Sequence, residues 1–298
     1  MKKIFIAVWL SAILPVAVFA YFDGGIGTVS GSSGYSGLNG FVEIGLNNGW
    51  YVKPAVSTYK ADYSGGTLAT YSGRLGYDSA VWGAGAEAGV TPKVNGYKNT
   101  FVNGDITFSI SPAGGKQARL TGPRRSGAGA KGEGLSRIDV GAALAYTMHS
   151  SDFDSAGATL ADPFKVNQTD LSLFAGVLFL QTQVSGRYTK NLGYSKTLTP
   201  ADRDPLKVDI PGMISSTIGF VNQTWNARID WSMLPVVSPF FSYTYIQYKL
   251  AHPSSKSYLL GASAGLKMIN IDVAYQIFDP GQGFDSQNYF SVGAGLKF

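Results

Sequence analysis

The chain has 298 residues, a formal net charge of +5 and no cysteine, which excludes a disulfide framework for an exported protein. Beyond the first twenty residues, no stretch reaches the ~18 consecutive apolar residues of a membrane-spanning helix. The composition instead offers 38 glycines and 13% aromatic residues.

The first twenty residues, MKKIFIAVWLSAILPVAVFA, have the order of a secretory signal peptide. Lys2 and Lys3 give a positive start, an apolar stretch follows, and small residues precede a cleavage site after Ala20. The segment is too short to span a membrane as a helix. We therefore predict a signal peptide over residues 1–20 and a single mature domain over residues 21–298.

Segments in which apolar and polar residues alternate follow one another along the mature chain, as in half-buried strands. In the stretch 224–231, for example, Trp225, Ile229 and Trp231 share one parity, while Arg228 and Asp230 share the other. Strands are predicted near residues 21–30, 38–46, 50–60, 67–77, 79–90, 99–110, 135–149, 167–178, 181–191, 213–232, 239–249, 257–267, 270–278 and 288–298. That makes about fourteen strands, within a range of twelve to sixteen, and an even number is the rule for bacterial single-chain barrels.

Two features favour a transmembrane barrel over a soluble β-sandwich, which would also alternate. The polar faces of the strands carry small residues and charges of both signs, while the apolar faces end in aromatic residues. The connections also differ in length: residues 47–49 and 268–270 predict tight turns, whereas longer polar connections are expected at residues 31–37, 150–165, 191–211 and 279–287. The sequence therefore predicts an all-β fold, an antiparallel transmembrane β-barrel with both termini on the periplasmic side.

One connection departs from this rule of lengths. Ser111–Gly134 reads SPAGGKQARLTGPRRSGAGAKGEG, which is basic and rich in glycine. The strand count makes it a long periplasmic connection, and an additional strand within it is the alternative.

The parity of the strands assigns a set of charged residues to the inner face of the barrel. An arginine or lysine on the lipid face would cost about 2–4 kcal/mol at the bilayer midplane, so these residues should face a lumen. They are Glu43, Lys53, Arg74, Glu87, Asp105, Asp139, Arg187, Arg228, Asp230, Lys267 and Asp272. Either they line a water-filled pore, as expected of more than eight strands, or they pair across the lumen and close it.

The sequence offers few groups for catalysis or metal binding. A nucleophile, a base and an orienting acid could assemble from Ser150, His149 and Asp152 at a strand end, but these are also ordinary rim residues. The other histidine, His252, stands alone in a loop, and no cluster has the spacing of metal ligands. We expect no enzymatic activity, no cofactor and no metal.

The last strand alternates up to the final residue, NYFSVGAGLKF. Its apolar parity is formed by Phe290, Val292, Ala294, Leu296 and Phe298. With the signal peptide and the alternating strands, this ending resembles that of Gram-negative outer-membrane β-barrel proteins. The resemblance implies that these five residues are the signal read by the outer-membrane barrel assembly machinery. The resemblance in architecture covers the whole mature chain, whereas the resemblance in motif covers only this strand. It does not identify a specific porin family.

These observations lead to one expected function and two alternatives. We expect a porin-like passive channel for small solutes in the Gram-negative outer membrane, with lipid and the assembly machinery as partners and no nucleic acid. The alternatives are a structural or adhesive surface barrel acting through its external loops, and a carrier for small hydrophobic molecules, suggested by aromatic residues on both faces of the stretch 240–245. The solute and the oligomeric state do not follow from the sequence.

Overall fold

The fold was analysed in a computed structural model, which describes residues 19–110, 120, 136–214, 219–232, 236–266 and 268–298. The predicted signal peptide up to residue 18 lies outside the described residues. So do Lys267 and the predicted connection Ser111–Gly134, apart from Leu120.

Fourteen β-strands make up the fold. They are β1 (Phe19–Gly31), β2 (Ser36–Leu46), β3 (Trp50–Lys60), β4 (Leu68–Asp78), β5 (Trp82–Val94), β6 (Tyr97–Ile110), β7 (Ser136–Phe153), β8 (Thr159–Phe179), β9 (Thr182–Tyr194), β10 (Val221–Trp231), β11 (Val237–Tyr248), β12 (Ser255–Leu266), β13 (Ile269–Asp279) and β14 (Gln287–Lys297). A 3-10 turn, Asp62–Ser64, lies between β3 and β4. Within the described residues, no helix has the length and apolar character needed to cross a membrane.

Each strand pairs antiparallel with its neighbours in sequence, and β1 pairs with β14 to close the sheet into a barrel. The seam runs from Asp23 opposite Lys297 to Gly31 opposite Tyr289. Closure leaves no unpaired strand edge, which is what a sheet in lipid requires because no water is present to satisfy backbone groups. The predicted antiparallel transmembrane β-barrel of about fourteen strands is confirmed.

The outer face of the barrel is apolar. Ile26 is 68% exposed and Leu260 is 62% exposed, and both point away from the lumen. Aromatic side chains form two girdles on this face. The girdle near the termini consists of Phe22, Trp50, Tyr77, Trp82, Phe108, Phe179, Trp231 and Phe298, and the opposite girdle of Tyr71, Tyr146, Tyr188, Trp225, Tyr243, Tyr258, Tyr275 and Phe290. Such paired girdles flank the apolar band of transmembrane barrels.

The strand connections differ at the two ends of the barrel. The end that carries both termini, here called the proximal end, has tight turns at residues 47–49, 79–81 and 180–181. Gly49 has a φ of +93°, and a Cβ there would collide with the carbonyl oxygen of Asp78, so this turn requires glycine. The other end, called the distal end, carries the longer connections, with two exceptions. One is the long connection between β6 and β7, which lies at the proximal end. The other is a short turn at the distal end. Asn95 and Gly96 join β5 to β6 with positive φ at both residues, as a two-residue hairpin turn requires.

One predicted strand is wrong in its bounds. The prediction extended it over residues 213–232, whereas β10 covers only Val221–Trp231. Met213 and Ile214 have strand-like sequence, but they belong to a connection whose apolar side chains pack inside the barrel. The hairpin of β7 and β8 also extends further at the distal end than the alternation indicated.

Candidate functional site

Ten of the eleven charged residues predicted for the inner face lie within the described residues, and the register places all ten on that face. Glu43, Arg74, Asp139 and Asp230 are buried, whereas the other six keep part of their surface exposed. The eleventh, Lys267, lies outside the described residues. The lumen wall therefore carries ionisable groups of both signs.

A row of these groups crosses one side of the wall. Lys53, Arg74, Glu87 and Asn103 stand opposite one another on four neighbouring strands, β3 to β6. Lys53 lies 3.7 Å from Glu43 of β2, and Asn103 donates a hydrogen bond to Glu87 at 3.3 Å. Lys53 and Arg74 carry like charges and face each other, so each is compensated by an acid on its other side or one strand further on, Glu43 for Lys53 and Asp105 for Arg74.

Arg74 and Asp105 form the most buried ion pair of this row. Nη2 of Arg74 lies 2.7 Å from Oδ2 of Asp105, and the two side chains are 4% and 3% exposed. Nε of Arg74 donates to the hydroxyl of Tyr51 at 2.8 Å. Removing either partner would leave a buried charge without compensation.

The opposite wall carries a second ion pair and an arginine of a different kind. Arg228 of β10 donates to Asp230 through Nε and Nη2, at 3.0 and 2.8 Å, and stacks over the ring of Phe240 at 3.8 Å. Arg187 of the neighbouring strand β9 lies 5.2 Å from the ring of Phe174. Its Nε is buried and has no hydrogen-bond partner. The two arginines therefore share a wall but not a bonding pattern.

Near the proximal end, Asp139 binds a residue of the long connection between β6 and β7. Its two carboxylate oxygens accept hydrogen bonds from Nε of Arg137 and from the backbone N–H of Leu120, at 2.8 and 2.7 Å. Gln183 of β9 donates to the carbonyl oxygen of Leu120 at 2.7 Å. Leu120 is buried, so at this position the basic connection reaches the inner wall.

The predictions did not name every charged residue of the inner wall, and Arg137 and Asp170 are two examples. Arg137 stands at the start of β7, next to the glycine-rich connection, where the alternation is hard to follow. Asp170 of β8 accepts hydrogen bonds from Gln168 and Asn191 at 2.6 and 3.0 Å. Its parity in the sequence is the same as that of Ser172 and Phe174, so the same reasoning would have placed it on the inner face. The predicted Asp272 accepts from Ser263 and from Asn270.

The distal half of the lumen contains part of the connection between β9 and β10. Residues 206–214, here called the inner segment, run across the barrel. On one side, the hydroxyl of Tyr59 donates to the carbonyl oxygen of Leu206. Tyr97 and Asn99 of β6 donate to the carbonyl oxygen of Lys207 at 3.2 and 3.1 Å. Side chains of the wall thus bind the main chain of the segment.

The other side of the barrel holds the end of the inner segment. Thr244 of β11 donates to the carbonyl oxygen of Pro211 at 3.4 Å. Ile214 donates its N–H to Gln276 of β13 at 2.9 Å, and its carbonyl oxygen accepts from the hydroxyl of Tyr35 at 3.1 Å. Because its anchors come from β3, β6, β11 and β13, the segment spans the lumen rather than lying along one wall.

Apolar contacts add to these hydrogen bonds. Leu206, Val208, Ile210, Met213 and Ile214 pack against a cluster of wall residues and loop residues. The cluster consists of Val29, Tyr35, Tyr59, Ala61, Leu68, Tyr97, Val221, Ile246, Tyr248, Phe278 and Tyr289. Complete burial of an aliphatic side chain contributes roughly 1.5–3 kcal/mol, so the segment is held in place and not merely resting in the lumen.

A contact between two loops lies at the distal rim above the inner segment. Oδ2 of Asp204 lies 3.5 Å from Nε2 of His252, which belongs to the connection between β11 and β12. Partial burial raises the pKa of Asp204 above its ordinary value, an effect that the nearby His252 opposes. Arg203 donates to the carbonyl oxygen of Asn95 at 2.9 Å and to Ser151 at 3.2 Å. The start of the inner segment is therefore tied to three other connections or strand ends.

The residues considered for catalysis do not assemble. His149 is buried in β7, where Nδ1 lies 2.8 Å from the hydroxyl of Tyr97 and Nε2 lies 3.1 Å from Oε1 of Gln168. Asp152 forms an ion pair with Lys93 instead of orienting the imidazole. No group of three or more potential metal ligands occurs in the part of the chain that the structure describes.

The five residues predicted as the assembly signal lie at the seam. Phe290, Val292, Ala294 and Leu296 point outward from β14. Phe298 follows the strand, and its ring stacks on that of Phe22 with centroids 4.9 Å apart. Recognition of this strand by the assembly machinery stays a prediction.

No protein-family model matches the sequence, and no curated protein matches it either. Among solved structures, CdiB from Acinetobacter baumannii superposes with a TM-score of 0.49 and 11% identity, covering 93% of this chain and 60% of that chain. OprB of Pseudomonas putida gives a TM-score of 0.47 and 7% identity, covering 94% of both chains. The KdgM porin in complex with oligogalacturonate gives a TM-score of 0.42 and 10% identity, covering 93% of this chain and 99% of that chain.

Proposed function

We propose that the chain forms a channel for small solutes in the Gram-negative outer membrane. The observation that carries the proposal is the contrast between the two faces of the closed barrel. The outer face is apolar between two aromatic girdles, while the inner face carries ion pairs such as Arg74–Asp105 and Arg228–Asp230. Ionisable groups on an inner wall are of use where water and polar solutes pass.

The proposal places the proximal end in the periplasm and the distal end outside the cell. Apart from the connection between β6 and β7, the proximal end has short turns and the distal end has most of the longer loops, which supports this orientation. Residues 1–20 then direct export, lipid surrounds the outer face, and the assembly machinery reads the strand from Phe290 to Phe298. No enzymatic activity and no cofactor are part of the proposal.

The solute path has to pass the inner segment. Its tip is Gly212, which has a φ of +80° and lies against the side chains of Asn226, Ser242 and Thr244. Beside this tip stands Arg187, directly opposite Asn226 in the register. We propose that the inner segment sets the narrowest point of the channel and that the charged wall around Arg187 and Arg228 selects what passes.

Conductance of the purified barrel in a planar bilayer tests this function. Discrete open steps are expected, and neutralising Arg187, Arg228 and Asp230 together should change the ratio of cation to anion permeability. Silence at all voltages, with the barrel shown to be folded by its heat-modifiable mobility, would contradict the channel. A barrel of that kind would fit a structural or adhesive role of the distal loops.

An apolar area of the inner wall favours a second candidate function, a carrier for small hydrophobic molecules. Phe240, Leu259 and Ala274 form an apolar area of the inner wall next to Ile214 of the inner segment. A channel for polar solutes has no need of such an area. Uptake of a hydrophobic dye into proteoliposomes without ion conductance would support the carrier, and conductance without dye uptake would support the channel.

A further inference from the structure

Four arginines are found on the inner wall in the described strands, and three of them are neutralised by a close acidic partner. Arg74 pairs with Asp105, Arg137 with Asp139, and Arg228 with Asp230, at 2.7 to 2.8 Å in each case. Arg187 has no acidic group within 4.0 Å among the described residues. Among the four arginines of the described strands, Arg187 is the one whose charge is not matched at close range.

The guanidinium of Arg187 is held in place by an aromatic ring, while its Nε forms no hydrogen bond to a described residue. The ring of Phe174, directly opposite on β8, supports it from one side at 5.2 Å. The buried Nε has no hydrogen-bond partner. Because three of the four arginines of the wall are paired with acids and Arg187 is not, its guanidinium keeps hydrogen-bonding capacity that the described residues do not use.

The surroundings of Arg187 offer neutral hydrogen-bonding groups. Ser185 and Thr189 flank it on the same face of β9, and Asn226 stands opposite on β10. Thr189 shares a hydrogen bond of 2.8 Å with Ser172 of β8. Hydroxyl and amide groups suit the hydroxyls of a polar solute, while the arginine suits an anionic group.

The charge balance of the site limits the charge of the anion. Asp105 is the acidic side chain whose field reaches Arg187, although Asp105 itself pairs with Arg74. One unmatched arginine can compensate one negative charge, and the nearby carboxylate repels a second. A carboxylate carries one charge and offers two oxygens in the plane of the guanidinium, whereas phosphate at neutral pH carries up to two charges.

We propose that Arg187 is the binding site of the channel for small hydroxylated solutes that carry one carboxylate. The proposal rests on the proposed channel function and adds a solute class to it. The tip of the inner segment at Gly212 lies against Asn226, so a solute that passes the tip comes within reach of Arg187. Arg187 supplies the two N–H groups for the carboxylate, and the neighbouring hydroxyl and amide groups contact the remainder of the solute.

Gluconate and sorbitol form a matched pair of probes, because sorbitol replaces the carboxylate by a neutral CH₂OH group. Gluconate is expected to block the potassium chloride current of single channels in a concentration-dependent way, and sorbitol is not. Arg187→Gln should weaken the apparent affinity for gluconate at least tenfold. Arg187→Lys keeps the charge but lacks the planar fork, and it should give an intermediate loss.

Lys190→Gln is the control for loss of a positive charge. Lys190 lies on the same strand, but its ammonium group points to the outer face, where it contacts Asn222 and Gln223. Gluconate should block this variant as strongly as it blocks the wild type. Equal weakening by both substitutions, an equal block by sorbitol, or tighter binding of phosphate than of gluconate would each overturn the proposal.

Calorimetric titration of gluconate into the folded barrel in detergent separates the site from the channel. Binding that Arg187→Gln abolishes, in a barrel that does not conduct, would retain the site and refute the channel. Conductance without gluconate binding or block would retain the channel and refute the site. If Arg187→Gln does not fold, the comparison of Arg187→Lys with Lys190→Gln decides.

Discussion

Phe22 and Phe298 pair with each other at the proximal end of the seam that closes the barrel. The N–H of Phe22 donates to the carbonyl oxygen of Phe298 at 2.7 Å, and the N–H of Phe298 donates to the carbonyl oxygen of Phe22 at 3.0 Å. The two rings stack with an interplanar angle of 17°. The terminal phenylalanine thus contributes a reciprocal pair of backbone hydrogen bonds and an aromatic contact to the seam between β1 and β14.

Deleting Phe298 should lower the yield of folded barrel in the outer membrane. The deletion removes both backbone hydrogen bonds and the aromatic contact, which is worth roughly 0.5–1.5 kcal/mol in other proteins. The heat-modifiable fraction in isolated outer membranes measures the yield. Phe284→Ala, which removes an exposed phenylalanine of the connection between β13 and β14, is the control and should leave the yield unchanged. Equal yields for the two variants would show that the terminal contact is dispensable.

Replacing Arg74 by glutamine should destabilise the folded barrel by about 3 kcal/mol, because Asp105 would remain buried without its partner. Guanidinium-induced unfolding of the barrel in lipid vesicles measures the free energy of unfolding. Lys53→Gln is the control, since the pair with Glu43 is longer, at 3.7 Å, and Lys53 is 29% exposed. Its loss should cost less than 1 kcal/mol. A similar small loss for both variants would mean that water reaches the Arg74–Asp105 pair.

A disulfide between positions 212 and 242 should lock the inner segment in the lumen. A Cβ placed at Gly212 would lie 3.0 Å from Oγ of Ser242, which is compatible with disulfide geometry once the amide of Asn226, with which that Cβ would clash, moves aside. The chain has no native cysteine to interfere. Under oxidising conditions the Gly212→Cys/Ser242→Cys variant should show low conductance with few gating events, and reductant should restore the gating.

The two single-cysteine variants are the controls for this lock, because they carry the same strain at the positive φ of Gly212 but cannot close a ring. They should gate alike with and without reductant. If oxidation leaves the conductance of the double variant unchanged, then the inner segment does not limit the current.

Acidification should hold the inner segment more firmly in the lumen. Burial raises the pKa of Asp204 above its ordinary value of 3.8. At pH values between 3.8 and the raised pKa, the docked state binds more protons than an undocked one. The docked state is therefore stabilised as the pH falls through this window. Docking weakens again as the pH rises through the raised pKa. Recordings from pH 7 to pH 4 should therefore show a falling open probability.

Asp204→Asn should remove this pH dependence and give a low open probability at neutral pH, because asparagine stays neutral. Asp202→Asn alters the same connection but a different contact, the pair with Lys196, and it should keep the pH dependence. An open probability that rises on acidification, or the same flat profile in both variants, would contradict the role of Asp204.

Most of the fold could be predicted from the sequence, because apolar and polar residues must alternate along a strand that has one face in lipid. Arg228 and Asp230 could be assigned to the inner face from parity alone, since a lipid-facing position would be too costly for them. The same reasoning failed at residues 213 and 214. Met213 and Ile214 are apolar and close to β10, but nothing local distinguishes apolar residues that face lipid from apolar residues that pack inside the lumen.

The sequence predicted which charged residues belong to the candidate site, but not which of them form ion pairs with one another. The alternation of the strands assigned Arg187, Arg228 and Asp230 to the inner face. It gave no indication that Arg228 pairs with Asp230 while Arg187 has no close acidic partner among the described residues. Such pairings depend on which strands stand next to each other and on side-chain lengths across the lumen. Tyr59 and Tyr97 were missed as anchors of the inner segment, because a tyrosine on an inner face gives no signal of what it binds.

The sequence by itself determined that the chain is a barrel and how many strands it has within a narrow range, and it predicted a set of residues that face inward. These properties follow from the period of two along each strand and from the cost of exposing charge to lipid. The tertiary structure alone decided what occupies the lumen. The inner segment enters because its backbone finds donors on β3, β6 and β11 and an acceptor on β13, and these residues meet only once the barrel has closed.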